Sequence, residues 1–134
     1  MAGDPRYKAF LDEQWELHKE KSAGYGTEDD PFANLRSTEW IGVPAWKMCL
    51  VKASDKWFRI QQHLAKGVIP GDSLENDLRD MANYLGYAKI LYEEWMESKG
   101  FVKDPIDGVL VMPDVPYSGL IDSAAGTEDL VGPF

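Results

Sequence analysis

From Ser73 to Gly100 apolar residues return at alternating steps of four and three: Leu74, Leu78, Met81, Leu85, Ala88, Tyr92 and Trp95. That spacing puts them on one face of a helix. Asp72, with Glu75 three residues later, has the form of a capping box, and Lys99 and Gly100 suit the far end. Beside the apolar stripe runs a second one: Asp77, Asp80, Tyr84 and Tyr87. Two carboxylates three apart lie one above the other on a helix. They can hold a cation together, or they can sit in water.

The same rhythm in Trp46, Leu50, Ala53, Trp57, Ile60 and Leu64 predicts a helix over 44–66 that stops at Gly67. Two matched stripes joined by the short turn GVIPGD predict antiparallel neighbours in a bundle. Asp4-Pro5 reads as an N-cap followed by proline in the first turn, opening a helix near 5–22. Its apolar side combines Tyr7, Phe10, Leu11 and Leu17, with Trp15 nearby, while Glu13, Glu16 and Glu20 form a solvated face. Asp30-Pro31 repeats the capping device and predicts a short helical piece near 31–41. Its Phe32, Leu35 and Trp40 would close over one end of the bundle, before Gly42-Val43-Pro44 breaks it.

Off the apolar stripe of the 44–66 helix lie Lys52, Asp55, Lys56 and Arg59. Asp55 and Arg59 are spaced to pair along the helix. His63, one turn on, reads as a surface or core-edge residue. Past Gly100 come four prolines, four glycines, six acids and a single basic residue, which excludes a helix. Val109 to Met112, Tyr117, Leu120, Ile121 and Phe134 are apolar enough to dock on the chain's own domain or on a neighbouring subunit. The expected architecture is all-α: a bundle of long antiparallel helices over 1–100 and an irregular acidic C-terminal arm over 101–134.

Composition narrows the function. A chain of 134 residues, 44% hydrophobic with five tryptophans, is long enough for one packed domain. That many large apolar residues on so few helices predicts a homo-oligomer, most simply a dimer. A net charge of −9 opposes binding to nucleic-acid phosphates. Cys49 is the only cysteine, so no internal disulfide forms. Neither a signal peptide nor a membrane-length apolar run is visible, and the expected location is the cytoplasm. One cysteine with His18 and His63 cannot build a closed zinc site. Phosphate-loop, dinucleotide and nucleophile-elbow motifs are missing from the sequence. Acids on helices with lysines and arginine beside them suit Mg²⁺, whose ligands are oxygens.

Several segments carry a resemblance: HKEKSAGYG at 18–26, DPFANLR at 30–36, DKWFRI at 55–60, and Asp77-Leu78-Arg79-Asp80 running on to Tyr84. They resemble the all-α NTP pyrophosphohydrolase superfamily of MazG-like and dimeric dUTPase-like proteins. Within it, the chain looks most like a phage-encoded, nucleotide-modification-associated branch, over about residues 8–95. In the superfamily, a helix with an acid-x-x-acid motif precedes one with Glu-x-x-Asp. Asp77 and Asp80 match the second motif, aspartate replacing glutamate. The first falls on Lys52-x-x-Asp55, where lysine stands in the glutamate position.

The resemblance implies Mg²⁺ held by Asp55, Asp77 and Asp80, with Glu13 or Glu16 able to join them. The metal would bind phosphate oxygens and present water to the α-phosphorus, releasing a nucleoside monophosphate and pyrophosphate. Lys56 and Arg59 would neutralise the leaving phosphates, and Lys19, Tyr25 and Asn34 would line the base and sugar pocket. Asn83 could orient a ligand or satisfy a buried backbone group. Lys52 favours the alternative of a non-catalytic nucleotide-binding or protein-interaction module on the same bundle. Its acidic arm would then engage a partner. A phage-encoded chain would act in the host cytoplasm.

Overall fold

The computed structural model describes residues 2–67, 70–71 and 73–112. Helices α1 (Pro5–Tyr25), α2 (Ala45–Lys66) and α3 (Leu74–Ser98) carry the fold, with a 3₁₀ helix, Ala33–Ile41, between the first two. The architecture is therefore all-α. Two short strands follow, β1 (Val102–Lys103) and β2 (Leu110–Val111), paired antiparallel with Val102 opposite Val111. By its internal contacts the chain divides into two compact units, residues 1–88 and residues 89 onward, with α3 running through the boundary.

Local chemistry sets the helix ends. Asp4 accepts a hydrogen bond from the Arg6 backbone N–H at 2.8 Å, and Pro5 fills the first helical position. At α3 the cap is Ser73, whose Oγ accepts from the Asn76 N–H at 3.0 Å. Asp72, expected to begin a capping box here, lies outside the described residues. Gly42 at φ 82° ends the 3₁₀ helix in a conformation that only glycine adopts at no steric cost. Helix α1 runs three residues past the expected end, to Tyr25, before the Gly26 N–H closes onto Ser22 O at 2.9 Å.

In the first unit the apolar stripes are buried only in part: Ala53 and Ile60 of α2 and Ala88 of α3 go inside, and most of the larger stripe residues do not. On α3, Leu78 and Leu85 stay about half exposed while Asp77 is only 1% exposed. On α2, Leu50, Trp57 and Leu64 face outward, and Cys49, Ala53, Ile60 and His63 are buried. On α1, Tyr7, Leu11 and Trp15 are exposed and Gln14 is buried. Trp40, expected to close the bundle, is 85% exposed; only Leu35 of that trio is buried. The physical reason is pairing. A buried charge is tolerated only with a partner, and each helix is turned so that its polar groups meet those of its neighbours. Lys56 faces Asp80, and Arg59 and His63 face Asp77, which gives α2 and α3 the expected antiparallel sense.

The second unit has its own small core of Leu91, Met96 and Phe101. Glu93 takes both Lys103 and Lys89, and the Lys103 ammonium holds its carboxyl below the usual range. The ribbon corrects part of the irregular arm. Its turn is tied by Asp104 Oδ1, which accepts from the N–H groups of Ile106 at 2.8 Å and Asp107 at 3.3 Å. Tyr117, Leu120, Ile121 and Phe134 of the expected arm lie outside the described residues.

Candidate functional site

A row on α1 spaced four, three and four, Gln14, His18, Lys21 and Tyr25, faces the polar row of α3. Gln14 Nε2 donates to Arg79 O at 2.7 Å and to Asn83 Oδ1 at 2.9 Å, clasping the two helices together. One turn on, His18 Nδ1 and the Tyr87 hydroxyl share a hydrogen bond at 2.8 Å. Next along α1, Lys21 Nζ reaches Asp80 Oδ1 at 3.1 Å.

Between these contacts and the 3₁₀ helix opens a cleft. His18, Lys21, Tyr25, Asp80, Asn83 and Tyr84 are among its walls, joined by Phe32, Asn34 and Tyr87. It is a shallow cleft with a cavity volume of about 40 Å³, reaching about 440 Å³ only when the open space at its mouth is counted. One wall is aromatic: Phe32 and Tyr87 have ring centroids 5.2 Å apart, His18 lies 5.7 Å from Phe32, and Tyr84 stands edge-on to Tyr87. Burial pushes the Tyr87 phenol up to about 12 and raises that of Tyr84 as well, so both stay protonated hydrogen-bond donors at neutral pH. The lip is fixed by Asp30. Its carboxylate takes Arg36 Nε at 2.6 Å and the Phe32 N–H at 2.9 Å, and the Arg36 guanidinium holds it below the usual carboxylate range.

Three of the residues expected to bind a nucleotide, Tyr25, Asn34 and Asn83, line this cleft. Asn83 serves structure too, since its Nδ2 donates to Gln14 O at 3.5 Å. Lys19 does not line it; its ammonium pairs with Glu16 at 2.9 Å and lies over the Trp15 ring. Lys56 and Arg59 reach aspartates of α3. Lys56 Nζ is 3.4 Å from Asp80 Oδ2, and Arg59 Nε is 3.3 Å from Asp77 Oδ1. The expected Asp55–Arg59 pair does not form: Asp55 is exposed and pairs with no described residue, because Arg59 turns across to α3. Glu13 and Glu16 stay on the exposed face of α1. His63, expected at a surface or core edge, is buried, with Nε2 3.2 Å from Asp77 Oδ2.

These donors do not suit Mg²⁺. Both oxygens of Asp77 are taken by Arg59 and His63, and both of Asp80 by Lys21 and Lys56. Asp55 stands apart, and among the described residues no three His, Cys, Asp or Glu side chains gather as metal ligands. A hard cation would have to displace four basic groups from two carboxylates.

His18, Lys21, Phe32, Tyr84 and Tyr87 line the cleft as well; from the sequence, Tyr84 and Tyr87 stand only beside the aspartates, Phe32 at a bundle end and His18 as one of too few zinc ligands. The four-three-four row on α1 carried the signal for His18 and Lys21. No family model matches the chain, and no curated protein or solved structure matches it either.

Proposed function

We propose that the chain is a nucleotide-binding module that takes its ligand in the cleft between α1, the 3₁₀ helix and α3. The observation that carries this is the pairing of an aromatic wall with amides and a lysine on one rim. Aromatic faces stack on a nucleobase, contributing about 1–3 kcal/mol per base. Asn34 and the Tyr84 phenol offer hydrogen bonds to base or sugar edges, and Lys21 offers a positive charge to phosphate. Binding without hydrolysis is favoured over magnesium-dependent pyrophosphohydrolysis by the four basic groups that already occupy Asp77 and Asp80.

Calorimetric titration with nucleosides and nucleoside triphosphates tests this, beside a pyrophosphate-release assay in Mg²⁺. Saturable binding, weakened by Phe32→Ala, without pyrophosphate release is expected. Steady release abolished by Asp80→Asn would restore the hydrolase assignment.

A second copy of the chain is the partner this reading includes. Tyr7, Leu11 and Trp15 on α1, Leu50, Trp57 and Leu64 on α2, and Leu74, Leu78 and Leu85 on α3 form exposed apolar rows at helix-packing spacings. Among the described residues, no helix is long and apolar enough to cross a membrane.

A further inference from the structure

Among the described residues Asp80 is the one acid lining the cleft, and two lysines from different helices grip it. Lys21 of α1 lies on the cleft side and takes Oδ1; Lys56 of α2, which does not line the cleft, takes Oδ2. Neither lysine is paired with any other described acid. The trio therefore brings two positive charges and one negative charge to the cleft wall. Lys56 answers the carboxylate, and the charge of Lys21 is left over for a ligand. Lys56 at 19% exposed and Asp80 at 16% are partly buried, so solvent screens that pair less than a surface pair, while Lys21 at 39% exposed is open to a ligand at the cleft.

We propose that Lys21, Lys56 and Asp80 form a metal-independent seat for a single phosphate group, and that the cleft takes a nucleoside monophosphate. This rests on the nucleotide-binding reading of the same cleft and adds the phosphate count to it. A phosphomonoester carries about −1.5 to −2 at pH 7, which one surplus ammonium backed by a second can meet. The longer chain of a triphosphate adds charge that these residues do not answer, and they lack the free carboxylates that would hold a bridging cation. Asp80 has the opposite role here to that of a metal ligand. It is the internal anion that the phosphate competes with, and its removal strengthens phosphate binding.

The test compares adenosine, guanosine, cytidine and uridine with their 5′-monophosphates by calorimetry in EDTA and then in Mg²⁺. The readout is the ratio of nucleoside to monophosphate dissociation constants. For the wild type, a phosphate advantage of roughly ten- to a hundredfold is expected with EDTA present, the range of a charge-assisted hydrogen bond. Mg²⁺ should leave it unchanged. Lys21→Met and Lys56→Met should each reduce the advantage, and Asp80→Asn should enlarge it, with circular dichroism confirming that each variant is folded. Nucleosides that bind as tightly as their monophosphates would overturn the seat while sparing the cleft. So would an advantage that needs Mg²⁺ and disappears in Asp80→Asn. If neither nucleosides nor monophosphates bind, the seat and the nucleotide-binding cleft fall together.

Discussion

Replacing Asp77 by alanine is the sharpest test of how this fold is held. The carboxylate is 1% exposed and is met by Arg59 Nε at 3.3 Å and His63 Nε2 at 3.2 Å. Removing one side of a buried ion pair costs about 3–5 kcal/mol. Arg59, the charged partner, is 44% exposed and can rehydrate. The loss should therefore fall at the lower end, about 3 kcal/mol. That is a large share of the 5–15 kcal/mol that stabilises a typical domain, and it corresponds to a fall in Tm of ~10 °C. Urea unfolding followed by circular dichroism would measure it. Asp77→Asn keeps the shape and one hydrogen bond, so it should lose less. In a double-mutant cycle, Arg59→Met should add less to Asp77→Ala than it subtracts from the wild type. A solvated carboxylate at i,i+3 from Asp80 behaves in the opposite way, its removal leaving stability level or raising it by a few tenths of a kcal/mol. An unchanged or higher midpoint for Asp77→Ala would falsify the buried-pair account.

Gly26→Ala should destabilise the protein by about 1–3 kcal/mol. The added Cβ would stand 2.7 Å from the Pro31 carbonyl oxygen, and the same displacement should weaken ligand binding at the neighbouring lip; thermal melts and the nucleoside titration read the two effects. Tyr87 should titrate near 12 by ultraviolet absorbance, and Tyr87→Phe should remove that step. Its folded pKa is raised, so the stability it contributes is full below about 10, the ordinary phenol value, and is lost as pH climbs through about 12. Light scattering at micromolar concentration should give twice the chain mass, and charges placed on the exposed rows, as in Leu50→Glu with Trp57→Glu, should return the monomer. A wild-type monomer would refute the second-copy assignment.

What could be read from the sequence was mostly what is decided locally. Asp4-Pro5, Gly42 and Gly67 mark helix ends through backbone chemistry that involves only adjacent residues, and they fall where expected. The inward face of each helix was not readable in the same way. Leu78 and Leu85 make a better apolar stripe than Asp77 and Asp80, yet the acids turn inward because Arg59, His63, Lys21 and Lys56 await them on other helices. Partners 14 to 59 residues away leave no periodic trace. The ribbon was missed for a different reason. Strands of two residues are too short to show alternation, and only the turn residues Asp104 and Gly108 signal them.

Cys49 has 0% exposure, and burial pushes its thiol up to about 11. It is the chain's one cysteine, so any alkylating reagent reports on a single position near the start of α2. The thiolate reacts, and it forms readily only when the sulfur meets water. Modification under native conditions therefore proceeds at the fraction of time that stretch of helix is open, multiplied by the reagent's rate on a free thiol. With reagent in excess, the label becomes a clock for local opening that needs no engineered probe. Run with and without a ligand in the cleft, it measures how firmly occupancy on one side of the helix assembly restrains motion at α2.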